Sequence, residues 1–168
     1  MSKYVTISPD EFSLCVQVAN ARQVSSIKKK GRDSVNRKNN WVEELDKHII
    51  GCIGELAVAK VIGVTWTGSV DTFKTESDLS GNIQVRHRSS PAWDLIVRPN
   101  DSDDDIFVLS RGIPPGAIEV AGWIIGKDAK RTEWLRDYGG YGRPSHFVDC
   151  AFLKPMEELN GLKALQRN

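Results

Sequence analysis

The stretch His48–Lys60, which reads HIIGCIGELAVAK, is apolar or small nearly all round. A helix with no polar face has to be covered on several sides. This segment therefore calls for packing layers around it, and it carries one carboxylate, Glu55, among them. The pattern predicts a helix from about Trp41 or Glu44 to Val61, stopped at Gly63. Upstream, Ser8-Pro9-Asp10-Glu11 has the form of a helix start, with Ser as cap, Pro in the first position and Glu in the third. Phe12, Cys15, Val16, Ala19, Val24 and Ile27 then recur at helical spacing. That periodicity predicts a helix from about Pro9 to Lys30, ended by Gly31 and the polar residues 32–40.

Beyond Gly63 the pattern turns to strands. Val64–Thr67 reads as a first strand. Ser77-Asp78-Leu79, a turn at Ser80-Gly81-Asn82, and Ile83–Arg88 read as a hairpin. Asp94–Arg98, Ile106–Ser110 and Ile118–Ile125 are three further strands, and Asp101–Asp105 is a solvated loop between two of them. Ala129–Tyr138 and Met156–Leu165 read as short helices. Helices followed by a run of strands predict an α/β (mixed α+β) fold, a central mixed β-sheet with flanking helices. At 168 residues the expectation is one domain. It divides into an N-terminal helix and basic segment (1–40), a core (41–128) and a C-terminal extension (129–168).

A carboxylate amid apolar residues needs a partner: a metal, an arginine or a backbone donor. Arg86 or Arg88 would serve Glu55 as a structural ion pair. In Ile83–Arg88 the alternation puts Ile83, Val85 and His87 on one face and Gln84, Arg86 and Arg88 on the other. Asp78 lies across the turn from Gln84 and Arg86. A carboxylate, an amide and guanidinium groups would thus meet, a set suited to a hard divalent cation and a phosphate.

These residues resemble the PD-(D/E)XK nuclease superfamily, over about His48 to Ser110. Gly54-Glu55 is similar to the family's Gly-Glu pair on a helix before the sheet. Asp78 stands at the start of the hairpin, and Gln84-Val85-Arg86 stands for the family's acid-x-Lys. The resemblance implies a restriction-endonuclease-like core preceded by an N-terminal helix, with a crossover helix after the hairpin, where Trp93–Asp105 offers little room for one. It implies that Glu55, Asp78, Gln84 and the carbonyl of Val85 hold Mg²⁺ (or Mn²⁺), with Arg86 at the lysine's place in a catalytic set of Glu55, Asp78, Gln84 and Arg86. A guanidinium stays protonated, so Arg86 can hold a phosphate but cannot act as a base. Gly54–Lys60 and Gly122–Ala129 are also similar to proteins encoded by tailed phages.

Net charge is only +1, but residues 1–60 carry ten Lys/Arg against seven Asp/Glu, whereas residues 91–128 carry three against seven. Lys28, Lys29, Lys30, Arg32, Arg37 and Lys38, with Arg88, are the candidate nucleic-acid contacts. No apolar run approaches the roughly 20 residues of a membrane span, so no membrane partner is expected. Cys15, Cys52 and Cys150 are scattered, as buried thiols of a cytoplasmic protein would be, in the host cell's cytoplasm if the chain is phage-encoded. His48, His87 and His146 show no metal-ligand spacing, Ser110 has no paired base in the sequence, and the five tryptophans read as core.

Three functions fit these observations. The first is a Mg²⁺-dependent DNA endonuclease or junction-resolving nuclease, with a homodimer as one working form. The second is a nuclease-like DNA-binding protein without catalysis. The third is a phage interaction protein that inhibits a host enzyme, with that host protein as its partner.

Overall fold

The two long helices form where their end signals stand. The computed structural model describes residues 1–30, 40–70, 78–79, 82–140 and 142–159. After a short strand β1 (Lys3–Val5), helix α1 spans Pro9–Lys30. Its start is a reciprocal capping box: the Glu11 amide donates to Ser8 Oγ at 3.2 Å, and the Ser8 amide donates to Glu11 Oε2 at 2.8 Å. Helix α2 spans Trp41–Ile62. The Asn40 side chain accepts the Glu43 amide at 3.0 Å, and Gly63 closes the other end at φ +67°, a left-handed conformation that glycine adopts without strain.

The strands that follow are β2 (Ile83–Arg88), β3 (Leu95–Val97), β4 (Ile106–Arg111) and β5 (Ile118–Ile125). A short helix α3 (Gly126–Ala129) leads to β6 (Leu135–Arg136) and β7 (Ser145–Val148). These strands divide into two sheets: a mixed one in the order β1-β5-β4-β2, and an antiparallel one in the order β3-β7-β6. β2 and β4 run parallel, with Ile83 beside Ile106 and Arg88 beside Arg111. The chain crosses between them through β3 of the second sheet, not through a helix. The fold is thus mixed α/β, with the expected strands shared between two sheets.

The apolar residues sort into two cores accordingly. One lies between the helices and the four-stranded sheet and contains Cys15, Ala19, Cys52, Val58, Ile83, Val85, Val108, Val120 and Trp123. The other lies between the two sheets and contains Leu95, Val97, Phe107, Leu109, Ile124 and Val148. β5 serves both because of a bulge. Opposite Leu109 and Ser110, its partners step from Gly122 to Val120, leaving Ala121 as the extra residue. A one-residue slip reverses the faces of a strand. Val120 and Trp123 consequently face the helices, and Ala121 and Ile124 face the second sheet.

Three expected elements differ. Val64–Thr67 is not a strand: the Val64 amide is spent on the Ala59 carbonyl, and Val64 and Trp66 pack onto the helical core. Ala129–Tyr138 is not a helix, since α3 ends at Ala129 and a 3₁₀ turn at Thr132–Trp134 runs into β6. Of Met156–Leu165, residues 156–159 are helical and 160–165 lie outside the described residues. The hairpin survives as one antiparallel bridge, Leu79 to Ile83, while Ser77, Ser80 and Gly81 of that reading lie outside the described residues. Among the described residues no helix is long and apolar enough to cross a membrane.

Candidate functional site

Glu55 is buried in α2, and its partner is neither Arg86 nor Arg88. Arg22 of α1 reaches across the helix pair and forms a two-pronged ion pair, Nη1 to Oε1 at 2.7 Å and Nη2 to Oε2 at 2.8 Å. Trp66 Nε1 donates to Oε2 at 2.9 Å, and Arg22 Nε donates to the Ser69 carbonyl at 2.9 Å. Although burial opposes its charge, the bonds to Glu55 hold the Arg22 guanidinium above its ordinary pKa. The segment 64–69 therefore straps over the helices through this pair. Arg22 continues the buried stripe Cys15–Ala19–Arg22 of α1, and that spacing was the signal available in the sequence.

Asp78 sits at the outer edge of β2, where its Oδ2 accepts the Val85 amide at 2.7 Å. Burial pushes the Asp78 carboxyl above its ordinary range, against the pull of the Val85 amide; Glu55 adds to the rise, and Arg86 and Arg22 oppose it. Asp78 thus feels both the helical layer and the far side of the sheet.

Gln84 and Arg86 face that far side, away from α2, as the alternation predicts. They are occupied by the acidic loop between β3 and β4. Gln84 Nε2 donates to Asp105 Oδ2 at 3.1 Å, and Arg86 Nη2 donates to Asp101 Oδ2 at 3.0 Å while its guanidinium lies 5.0 Å from the centre of the Phe107 ring. Asp101 also accepts the Arg98 amide on the same oxygen at 2.8 Å, and its carbonyl takes Lys130 Nζ. The loop expected to be merely solvated is instead a clamp on the end of β2.

On the helical face, His87 is enclosed. Gly54 leaves the room: a Cβ there would stand 2.5 Å from His87 Cβ. His87 Nε2 lies 2.9 Å from the Gly112 carbonyl, so it carries the proton and donates, and Nδ1, 2.9 Å from Ser110 Oγ, accepts the hydroxyl. Burial lowers the His87 pKa, which favours this neutral form. Ser110 thus has a paired imidazole that the sequence did not disclose. The hydroxyl is fully buried, and the pair is structural.

Arg88 differs from the other arginines of this region. Its guanidinium lies 4.8 Å from the centre of the Trp93 ring, and its Nε is buried without a hydrogen-bond partner among the described residues. Burial lowers its pKa, and Asp94 opposes this through space. Beside it on β4, Arg111 is neutralised by Glu119, with Nη2 to Oε2 at 2.8 Å. Trp93 is 48% exposed and Trp41 66%, so the expectation that all five tryptophans are core holds for Trp123 and Trp134 and not for these two. Lys28 and Lys29 are exposed at the end of α1, where Lys30 is its last residue, and Arg32, Arg37 and Lys38 lie outside the described residues.

The carboxylates do not fit a divalent cation at Glu55 while Arg22 is in place. Three of roughly four acceptor positions of that carboxylate are filled. An incoming cation would also lie against a guanidinium. Among the described residues no cluster of three or more His, Cys, Asp or Glu is arranged to hold a metal ion. Cys15 and Cys52 are fully buried thiols, pushed by burial up to about 11 and about 12, and Cys150 is half-buried. Comparison with protein-family models, curated proteins and solved structures finds no match to this chain.

Proposed function

We propose that this chain is a cytoplasmic DNA-binding protein with a nuclease-like site layout, in which Arg22 stands where the resemblance puts a metal and no strand is cut. The observation that carries the reading is Arg88, a partly buried guanidinium with an unsatisfied Nε and no carboxylate bonded to it among the described residues. Burying a charged donor without an acceptor costs about 1–3 kcal/mol or more. A phosphate paired with the guanidinium supplies the countercharge that no bonded carboxylate provides. Lys28 and Lys29 at the end of α1, with the basic residues that follow, add the sequence-independent attraction for a polyanion.

The test is fluorescence anisotropy of labelled DNA over a salt series. The reading expects binding at low salt that weakens as salt rises, and Arg88→Gln to reduce both the affinity and the salt slope, the latter by about one. Absence of binding at low salt would remove it and leave the interaction-protein reading, tested by recovery of a host enzyme as a stable complex.

One observation favours a second reading, the Mg²⁺-dependent nuclease. Asp78 is a partly buried carboxylate that forms no ion pair among the described residues, and burial raises its pKa. A cation beside it would relieve that burial. This reading expects cleavage of DNA with Mg²⁺ or Mn²⁺ that is lost in Asp78→Asn.

A further inference from the structure

The turn after β2 folds an aromatic ring back onto Arg88. The Trp93 amide donates to the Ser90 carbonyl at 3.3 Å, and the Ala92 amide donates to Ser90 Oγ at 3.3 Å. Pro91 occupies the second position of this four-residue turn, where its fixed φ suits the bend. Arg88 and Trp93 are thereby held as a stacked pair at the end of the edge strand β2. The guanidinium covers part of the indole, and the ring remains 48% exposed.

Three properties of this pair point to its ligand. The Arg88 guanidinium has no bonded carboxylate among the described residues, which leaves a cation for an anionic oxygen. The exposed part of the Trp93 ring is a flat apolar surface suited to another flat ring. The surrounding charge is modest, because Glu119 balances Arg111 and Asp94 stands near Arg88 without bonding it. A site with one uncompensated cation beside a carboxylate suits a singly charged phosphodiester better than a doubly charged free phosphate. A base within a duplex is already stacked on both faces, so an aromatic platform serves only an unpaired base.

We infer that Arg88 and Trp93 form a binding site for one nucleotide of a single-stranded nucleic acid, with the phosphodiester on Arg88 and the base stacked on Trp93. The inference rests on the DNA-binding reading and narrows it to unpaired strands. Indole–base stacking is tolerant of sequence, so the site has little base preference.

The experiment uses the whole chain, a short fluorescent oligothymidylate, a duplex of equal length and inorganic phosphate. The expected result is tighter binding of the single strand than of the duplex, and no competition by inorganic phosphate at the concentrations used. Trp93→Leu weakens single-strand binding roughly ten-fold, Trp93→Phe retains most of it, and duplex binding is unchanged in both. Trp93 lies half-exposed at the end of a turn, and melting curves check that its variants remain folded. If the wild type binds DNA but Trp93→Leu binds the single strand as tightly as before, or the duplex is preferred, this inference is overturned and the DNA-binding reading survives. If the wild type binds neither strand form at low salt, both fall.

Discussion

At the residue scale the decisive contact is the Arg22–Glu55 pair. Glu55's need for a partner was readable from its apolar neighbours. The identity of that partner was not, because Arg22 lies 33 residues away on another helix and meets Glu55 only once the helices pack. Removing one member of a buried ion pair leaves the other uncompensated, at about 3–5 kcal/mol. Arg22→Ala should therefore lower the unfolding free energy by that amount, read as a lower denaturant midpoint at an unchanged slope, and Arg22→Met with Glu55→Leu should recover much of the loss. His87 supplies the pH dependence. Its folded-state pKa lies below the ordinary value of 6.5, so the unfolded chain takes up the proton more readily. The stability it contributes is complete above about pH 6.5 and is lost as the pH falls through its folded-state pKa. Melting temperatures measured from about pH 7 down to pH 5 should fall more steeply for the wild type than for His87→Gln, which carries no titrating group. Equal slopes would mean that His87 is not held neutral.

At the element scale, the helices were legible and the sheets only in part. α1 runs over the predicted Pro9–Lys30, and α2 ends at the predicted Gly63, because caps and breakers act locally. β5 was read to its bounds, but its bulge was not, since an extra residue is defined only against the partner strand. Val64–Thr67 carries β-branched and aromatic residues yet joins no ladder, because Trp66 is committed to Glu55. Gly54 illustrates the same division. Gly54 stands beside Glu55 in the sequence, and the structure identifies what its missing side chain makes room for: the His87 side chain of β2. Gly54→Ala should push β2 from α2 and cost roughly 1–3 kcal/mol, as overpacking does. In Gly54→Ala with His87→Gly, which removes the Cβ that the new methyl would meet, much of that cost should disappear, and additive losses in a double-mutant cycle would show that the two positions do not collide.

At the scale of the whole molecule, two sheets stack on a helix pair, and the residues of one short motif are distributed among the layers. Glu55 belongs to the helical layer, Asp78 to the strand edge, and Gln84 and Arg86 to the side facing the acidic loop. The motif's spacing was visible in the sequence, but its partners come from α1 and from Asp101 and Asp105, which no local pattern links to it. The Arg88–Trp93 pair is a product of the same topology, since β2 is an edge strand and the turn that leaves it returns Trp93 to Arg88. The central claim is that this assembly binds DNA without a metal and does not cut it. It is tested most directly by incubating the chain with end-labelled DNA in EDTA and, side by side, with Mg²⁺ or Mn²⁺, reading affinity and strand length together. The account predicts similar affinity with the metal and with EDTA, and intact strands throughout. Affinity that vanishes in EDTA, or metal-dependent cleavage that disappears in Asp78→Asn, would contradict it.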